Sequence, residues 1–307
     1  MNGADLEAFK AQMRANMAER RASTAPLAEQ RAAFDATVAD IPLADGVTVE
    51  ALPAGAPPGE RLVPRDALPG CALLYFHGGG FYTGSTRSHR HLVSRLAHAA
   101  RLTAYNMDYR LAPENRFPAA VEDARVVYRW LLGQGIAASR LVISGDSAGG
   151  NLALGVALWA LKEGVPLPGG LYLISPWLDL AQTRAAYEAR AQTDPLFIRS
   201  GVAKGAQLYL QGTPATDPWA SPVHADPAGL PRTLIQVGTD EILLSDSLDF
   251  ATRAALAGVG VRLDVWAQMM HVWLYQHRVL EQGRRAIAEA GEWLRETVAA
   301  EGAQNTV

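Results

Sequence analysis

A histidine and three consecutive glycines, His-Gly-Gly-Gly at residues 77–80, directly follow an apolar, strand-like run. Glycine costs conformational entropy and offers no side chain to pack, so a triplet marks a place where a ligand or another backbone segment must approach very closely. Two ligands would explain such a loop: a phosphate group, or the oxyanion that forms during acyl transfer. Other motifs in the chain distinguish these two possibilities.

A phosphate-binding loop of the dinucleotide type requires Gly-x-Gly-x-x-Gly between a strand and a helix. Counted from Gly78 and Gly80, the third glycine would fall at position 83, which is Thr83. The helical pattern begins only near Arg87, and the sequence contains no Gly-x-x-x-x-Gly-Lys-Ser/Thr motif. The sequence therefore disfavours nucleotide binding.

A second motif favours an oxyanion over a phosphate as the ligand of the glycine loop. Gly145, Ser147 and Gly149 form Gly-x-Ser-x-Gly between a strand-like run, RLVIS, and a helix-like run, NLALGVALWAL. This context is that of a nucleophile elbow, in which a sharp turn projects the serine hydroxyl into a cleft. The two glycines relieve crowding at the turn, and the helix N-terminus favours developing negative charge. We predict that Ser147 is a nucleophile.

The negative charge of an acyl-transfer intermediate needs preorganised backbone N–H groups. Only glycine lets the main chain come close enough to a carbonyl group with its amides turned inward. We therefore predict oxyanion donors from Gly78, Gly79 and Gly80, and from Ala148, the residue after the nucleophile. His77 is interpreted as a structural residue that holds the loop through a hydrogen bond.

A serine hydroxyl needs a base to take its proton, and the base needs an acid to orient it. After Ser147 the sequence offers His224, His271 and His277. His271 follows a strand-like run and precedes the last long helix, as the chain order serine, acid, histidine requires. His224 lies in a proline-rich stretch, and His277 falls within a helical pattern where we expect a solvated role. We predict that His271 is the base.

The acid has two candidates. Asp240 and Glu241 are adjacent and follow the strand-like run TLIQV. Either carboxylate could accept a hydrogen bond from the Nδ1–H of His271, so the residues alone leave both open. A carboxylate that is not the acid would face the first-turn amides of the following helix.

Four segments together resemble the hormone-sensitive-lipase-like branch of the α/β-hydrolase family, the bacterial carboxylesterases with an HGGG motif. They are HGGGF at 77–81, DYRLAPE at 108–114, GDSAGGNLA at 145–153 and the histidine loop, and the resemblance covers roughly residues 70–290. It implies an α/β-hydrolase fold with an eight-stranded, mostly parallel sheet, helices on both faces and a helical cap. It also implies that neither a metal nor an organic cofactor is needed.

Many members of that family carry the acid in an Asp-Pro-Leu-x-Asp pattern. Laid over this chain, the pattern makes Glu241 the acid, and we favour it over Asp240. The match is imperfect, because the second aspartate of the pattern falls on Ser245, one place before Asp246.

Eight short β-prone runs alternate with helical patterns as this architecture requires. The runs are Val47–Leu52, Arg61–Pro64, Ala72–Phe76, Thr103–Asp108, Arg140–Ser144, Leu171–Ile174, Thr233–Val237 and Arg262–Trp266. Runs that are apolar throughout indicate a parallel sheet covered on both faces. The first two runs have no helix between them, so we expect an antiparallel edge there. Helical patterns are found near 87–100, 117–133, 148–163, 244–258 and 274–300.

The chain divides into a cap and a catalytic domain. Residues 4–39 read as two helices, with apolar positions at helical spacing. We expect cap helices over residues 1–45, a catalytic α/β-hydrolase domain over 46–180 and 216–307, and a cap insertion over 181–215. Aromatic candidates for lining the substrate pocket are Phe81, Tyr82, Trp177, Phe197 and Tyr209. Packing of the cap against the core is the alternative role for these side chains.

Composition limits the partners. The chain has 307 residues, a net charge of −3 and a pI near 6.2, which give no electrostatic reason to expect nucleic acid or an anionic membrane. Its single cysteine, Cys71, cannot form an internal disulfide. The N-terminal stretch lacks the apolar region of a signal peptide, and no apolar run reaches the roughly 20 residues that span a bilayer. We expect a cytoplasmic protein whose partner is a small-molecule ester. Family members often form homodimers through an edge strand, but no sequence feature here requires one.

The leading functional hypothesis is a serine carboxylesterase that hydrolyses short- to medium-chain acyl esters through an acyl-enzyme intermediate. Two alternatives stay open. One is a lactone hydrolase that uses the same three residues. The other is a non-catalytic small-molecule-binding protein on the same scaffold, like the plant hormone receptors of this family, which have lost the histidine that this chain retains.

Overall fold

The computed structural model describes residues 3–299 and is built around one eight-stranded sheet. The strands are β1 (Val47–Ala51), β2 (Gly59–Pro64), β3 (Ala72–Phe76), β4 (Thr103–Met107), β5 (Leu141–Asp146), β6 (Gly170–Ile174), β7 (Thr233–Gly238) and β8 (Val261–Trp266). The helices are α1 (Gly3–Ala22), α2 (Leu27–Ala36), α3 (Thr86–Ala100), α4 (Ala119–Gly133), α5 (Ala148–Glu163), α6 (Ala186–Ala189), α7 (Arg199–Leu210), α8 (Leu244–Leu256) and α9 (Glu281–Ala299).

The strands lie in the order β1-β2-β4-β3-β5-β6-β7-β8. β2 pairs antiparallel with both β1 and β4, and all other neighbours are parallel. The parallel neighbours need crossover connections, which helices supply, whereas β1 and β2 are joined without a helix. The prediction of an eight-stranded, mostly parallel sheet with helices is confirmed.

The four central strands β3, β5, β6 and β7 are buried along their whole length. Their side chains alternate between two apolar layers, so the sequences read as unbroken apolar runs. One layer contains residues of α3 and α9, and the other contains residues of α4, α5 and α8. The sheet is therefore covered on both faces, which leaves the ends of its strands as the place for a site.

The elements differ from the sequence prediction mainly at their ends. The helical pattern near 274–300 divides into a 3₁₀ turn, Trp273–Gln276, and α9, which begins at Glu281. Residue 300, the end of that pattern, lies outside the described residues. The short helix α6 was not predicted. No helix within residues 3–299 is both long enough and apolar enough to cross a membrane.

The N-terminal helices α1 and α2 pack over the carboxyl ends of the strands. Lys10 of α1 contacts the loop after β7, and Arg31 of α2 contacts the loops after β3 and β4. Arg14 and Arg21 of α1 donate to carbonyl oxygens of the segment between β6 and α7. These helices therefore touch the loops in which the candidate site residues lie.

Candidate active site

Ser147 occupies the sharp turn between β5 and α5. Its backbone has φ 55° and ψ −120°, a region that non-glycine residues rarely adopt. The Ser147 N–H donates to the Ile174 carbonyl at 2.9 Å and holds the turn against β6. A Cβ atom on Gly145 would collide with the backbone of Gly149, and one on Gly149 would collide with the Phe76 carbonyl. Both glycines are therefore needed for the turn to pack against β3.

His271 and Glu241 form a buried hydrogen-bonded pair. His271 Nδ1 and Glu241 Oε2 lie 2.8 Å apart, and the two side chains are 6% and 0% exposed. The other oxygen, Glu241 Oε1, accepts from the Gly238 N–H at 2.6 Å and from the Ser175 hydroxyl at 2.9 Å. These hydrogen bonds fix the carboxylate with one oxygen on the imidazole ring.

Asp240 points elsewhere. Its carboxylate accepts from Lys10 Nζ at 2.8 Å and from the Thr239 hydroxyl at 3.0 Å. Lys10 is only 1% exposed and also contacts Glu7 at 2.9 Å. Of the two carboxylates that the residues alone left open, Glu241 contacts His271 and Asp240 contacts the N-terminal helix.

The glycine loop is held by Asp146, the residue before Ser147. Asp146 Oδ1 accepts from the Gly78 N–H at 2.9 Å and from the Tyr75 hydroxyl at 2.7 Å, and it lies 3.4 Å from His89 Nε2. Burial alone would raise the pKa of Asp146, but the charge of His89 and the hydrogen bonds from His89 and Tyr75 lower it below its ordinary value. Gly78 was predicted as an oxyanion donor, but its N–H is already bonded to this carboxylate.

Three of the predicted oxyanion donors remain unoccupied. Within residues 3–299 the N–H groups of Gly79, Gly80 and Ala148 donate no hydrogen bond. Gly79 and Gly80 have φ angles of 113° and 63°, a conformation that suits glycine. A Cβ on Gly79 would also collide with the Thr83 carbonyl. The loop thus leaves two glycine amides and one helix N-terminal amide unpaired.

His77 is buried beside the glycine loop. Its Nδ1 lies 2.7 Å from the Gly78 carbonyl oxygen, and its ring stacks on Tyr109 with centroids 4.3 Å apart. The Tyr109 hydroxyl donates to the His77 carbonyl at 2.8 Å. Burial, and next the charge of His89, lower the pKa of His77 to about 4, so the ring is neutral at neutral pH. These contacts agree with a structural role.

Ser147 and His271 are each 6% exposed. No hydrogen bond joins the Ser147 hydroxyl to the imidazole in the described part of the chain. Contacts between nucleophile and base are often long in unliganded enzymes and shorten when the substrate binds.

Three of the aromatic candidates are packed in the core. Phe81 and Tyr209 are stacked with centroids 3.9 Å apart, and Trp177 lies 5.8 Å from Phe81. All three side chains are buried. They connect α7 to the core, so cap packing accounts for their positions.

The other two aromatic candidates are half-buried, and one of them contacts a predicted catalytic residue. Phe197 packs against the ring of His271 with centroids 4.7 Å apart. Tyr82 lies beside Gly205 of α7, where a Cβ would stand 3.2 Å from the tyrosine ring. Phe197 and Tyr82 therefore remain the better candidates for contact with a substrate.

A cavity of about 1030 Å³ lies elsewhere, on another side of α7. Arg199, Ala203 and Gln207 line it together with residues 180–182, 211–213 and 215. None of the predicted site residues lines this cavity, so it is not part of the candidate active site.

The prediction for His277 is wrong. Its side chain is buried rather than solvated, and its Nε2 lies 3.0 Å from Nδ1 of His91. It follows the 3₁₀ turn and precedes α9 instead of lying within a helix. Burial is the main cause that lowers the pKa of His277 to about 4 and that of His91 to about 3.

Sequence reasoning missed the polar side chains that connect the N-terminal helices to the loops after β3, β4 and β7. Arg31 donates to the Tyr82 carbonyl at 2.8 Å and to the Ala112 carbonyl at 2.7 Å. Lys10 has a detectable signal, because it lies four residues after Leu6 on the apolar stripe of α1. A lysine on such a stripe indicates a buried acidic partner.

Comparisons with known proteins identify the family of the chain. Residues 73–275 match a family model described as an alpha/beta hydrolase fold. The chain is 46% identical over 234 residues to an acetyl-hydrolase of Streptomyces hygroscopicus, covering 76% of this chain and 78% of that protein. It is similar to the crystal structure of EstE5 soaked with p-nitrophenyl butyrate, with 40% identity, a TM-score of 0.89, and 97% and 100% of the two chains covered.

A hormone-sensitive lipase from a metagenome library is similar at 37% identity, with a TM-score of 0.92 and 97% and 99% of the two chains covered. The sequence and structural matches lead to the same group of ester hydrolases. The chain belongs to the α/β-hydrolase family, in its bacterial hormone-sensitive-lipase-like branch of carboxylesterases.

Proposed function

We propose that this carboxylesterase hydrolyses short- to medium-chain acyl esters with Ser147 as the nucleophile, His271 as the base and Glu241 as the acid. The observation that carries the proposal is the buried His271–Glu241 pair, with Nδ1 2.8 Å from Oε2. In the proposed tautomer the Nδ1–H donates to this carboxylate, which leaves Nε2 for the serine. The strained backbone of Ser147 at the start of α5 supports the nucleophile assignment.

In this mechanism the Ser147 hydroxyl attacks the ester carbonyl while His271 takes its proton. Glu241 holds the imidazole in the correct tautomer and stabilises the imidazolium that forms. His271 then gives the proton to the departing alcohol, which leaves an acyl-enzyme on Ser147. Water, activated by the same histidine, attacks the acyl-enzyme and releases the acid.

The oxyanion of both tetrahedral intermediates would bind to the N–H groups of Gly79, Gly80 and Ala148. Their lack of partners in the described chain supports this role, and it leaves out Gly78, which is bonded to Asp146. Fixed amides of this kind stabilise charge where it develops, and losing one donor costs about 10²–10³ in rate.

The names of two relatives support the proposed substrate class. The acetyl-hydrolase of Streptomyces hygroscopicus is named for a short acyl group, and EstE5 was soaked with a butyrate ester. We propose that Phe197 and Tyr82 of this chain contact the bound ester. We also propose a cytoplasmic location, and a division into a catalytic domain and a cap formed by residues 1–45 and 181–215.

The first experiment compares hydrolysis of p-nitrophenyl butyrate by the wild type and by Ser147→Ala. We expect the variant to lose at least about 10⁴-fold in kcat. Ser144→Ala is a matched control, because Ser144 is a buried serine of β5 whose hydroxyl has no partner in the described chain. Ser144→Ala should keep the wild-type activity, and activity that survives in Ser147→Ala would overturn the assignment of the nucleophile.

A second set of substrates tests the chain length. Acyl groups from acetate to laurate on the same leaving group should give a maximum at or below medium length. A maximum at laurate would contradict the proposed substrate class, and a lactone hydrolysed faster than all the open-chain esters would favour the lactonase alternative.

A further inference from the structure

Asp194, between β6 and α7, is a buried carboxylate attached to the loop of the proposed acid. Its Oδ1 accepts from the N–H groups of Leu196 and Phe197 at 2.8 and 2.9 Å. Its Oδ2 accepts from the Ile242 N–H at 2.9 Å. Because Ile242 directly follows Glu241, this one side chain joins the cap segment to the residue beside the acid.

The same turn positions an aromatic ring on the base. The N–H of Phe197 is bonded to Asp194, and the ring of Phe197 packs against His271 at 4.7 Å with an interplanar angle of 68°. The imidazole is therefore held at Nδ1 by Glu241 and packed by Phe197. Asp194 fixes the backbone from which Phe197 projects.

A role confined to the turn would not need all of these contacts. The two amides of Leu196 and Phe197 are sufficient to close a local turn around Asp194. The bond to Ile242 spans 48 residues of sequence and ends on the loop of Glu241. The carboxylate thus connects two segments that the turn itself does not require to be joined.

The groups around Asp194 determine whether its carboxyl group is charged, and this group lies near the proposed base, His271. Burial raises the pKa of Asp194 to about 6, while the three amides and the charge of His271 oppose that rise. Arg14 and Arg21 of α1 donate to carbonyl oxygens beside Asp194, at 3.3 and 3.2 Å, and not to its carboxylate. The titratable and charged residues in this region include His271, Glu241, Arg14, Arg21 and Arg190, whose carbonyl oxygen accepts from the Asp194 N–H at 3.0 Å. At neutral pH an anion faces the histidine region.

We propose that Asp194 is a positioning residue for the acid–base pair. It holds the Glu241 loop through Ile242 and orients His271 through Phe197, so that the cap segment forms part of the catalytic framework. This inference rests on the proposed roles of His271 and Glu241. It requires no contact between Asp194 and the substrate.

The test is Asp194→Asn, which keeps the size of the side chain but removes its charge and places an NH₂ group near backbone amides. We expect kcat on p-nitrophenyl acetate to fall about 10- to 100-fold through misplacement of the pair. KM should stay within about threefold, because Asp194 does not bind the ester. Loss of the anion should also move the acid limb of the kcat/KM profile to lower pH by roughly half a unit.

Asp217→Asn is the matched control. Asp217 also accepts from a backbone amide in a turn, that of Trp219 at 2.8 Å, but has no bond to the Glu241 loop. We expect this variant to keep the wild-type kcat and pH profile. Labelling of the nucleophile by an organophosphate, followed to completion, tests the proposed function separately from the positioning role of Asp194. If Ser147 is not the residue labelled, the proposed function fails, whereas complete labelling at a reduced rate in Asp194→Asn supports the positioning role.

Wild-type kcat together with an unshifted acid limb in Asp194→Asn would overturn the inference. If that variant does not fold, Phe197→Leu decides, since it keeps apolar volume and removes only the ring on His271. A fall in kcat of about tenfold supports the inference. KM does not discriminate in this variant, because Phe197 is also proposed to contact the ester. An unchanged kcat in Phe197→Leu overturns it.

Discussion

Glu241 and Asp240 are neighbours in the chain, yet their carboxylates receive different hydrogen bonds. Glu241 is fully buried and bonded to His271, Ser175 and a backbone amide. Asp240 is partly exposed and bonded to the ammonium group of Lys10. One residue therefore serves the proposed chemistry, and the other attaches helix α1 to the loop after β7.

This difference predicts opposite effects of two conservative substitutions. Glu241→Gln should lower kcat by about 10³–10⁴-fold, because an amide cannot stabilise the imidazolium or select its tautomer. Asp240→Asn should keep kcat within about tenfold but lower the free energy of unfolding by about 3 kcal/mol, since Lys10 is buried. Steady-state kinetics and urea denaturation of both variants measure the two effects. The reverse ranking of kcat would make Asp240 the acid.

Single-residue predictions were most specific where the evidence was local in sequence. Ser147 lies in a five-residue motif with its own strand and helix, so its turn was predictable. The direction of Glu241 depends on Ser175, which is 66 residues away. The Gly78 amide is occupied by Asp146, 68 residues away. Such long-range bonds leave no pattern in a single sequence.

At the scale of elements, α1 is attached to the catalytic loops by few polar contacts. Lys10 reaches Asp240, Arg14 reaches Thr193, and only the first of these contacts is an ion pair. The buried ammonium group also has an exposed partner, Glu7. A buried charge is tolerated only with such partners, so Lys10 holds α1 in one position.

Lys10→Met should therefore loosen α1 without creating a cavity. Removing the ammonium group leaves Asp240 without its partner in α1, so α1 should unfold locally more often and its exposed arginines should be cut faster by trypsin. We expect limited digestion to cut the variant after Arg14 and Arg20 faster than the wild type. Gln12→Met, an exposed position of the same helix, serves as the control and should be cut at the wild-type rate. Equal cleavage of all three proteins would show that Lys10 does not hold the helix.

The four central strands were recognisable because short runs that are buried on both faces stay apolar along their length. Strands β1, β2 and β8 are only partly buried and were recognisable from their β-prone residues. Helix ends were less predictable. The pattern that begins at residue 274 looked helical because Trp273 and Leu274 are buried, but they belong to a 3₁₀ turn. The docking of α1 could not be predicted, since its partners come from loops distant in sequence.

At the scale of the whole molecule, buried histidines and buried carboxyl groups have opposite effects on how the free energy of unfolding depends on pH. The pKa values of His77, His91 and His277 are lowered by burial to about 4, 3 and 4 from an ordinary 6.5. The unfolded chain binds these protons more readily, so their contribution to stability is present above pH 6.5 and is lost as the pH falls towards 4.

Two buried carboxyl groups change the pH dependence of stability in the opposite direction. Burial raises the pKa of Asp194 to about 6 and that of Asp246 well above its ordinary value. The folded chain binds these protons more readily, so this contribution is lost as the pH rises through the folded pKa. The net slope of stability against pH is therefore smaller than the histidines alone would give.

A histidine variant separates the two contributions. Between pH 6.5 and 4 the free energy of unfolding should depend less steeply on pH in His277→Gln than in the wild type. The slope should decrease by up to about 1.4 kcal/mol per pH unit, which is the value for one proton. Urea denaturation at several pH values in this window measures the slope. His98→Gln, an exposed position of α3, should leave the slope unchanged. A variant slope equal to that of the wild type would contradict the assignment.

The contacts of α1 also have a consequence for synthesis of the chain on the ribosome. The partner of Arg14, the Thr193 carbonyl, lies 179 residues later in the chain, and the partner of Lys10, Asp240, lies 230 residues later. Helix α1 is translated long before these partners emerge, so it cannot dock until strand β7 has been made. The first of the described helices is thus among the last elements to dock. The loop of Glu241 gains its contact with α1 only after both segments have been synthesised.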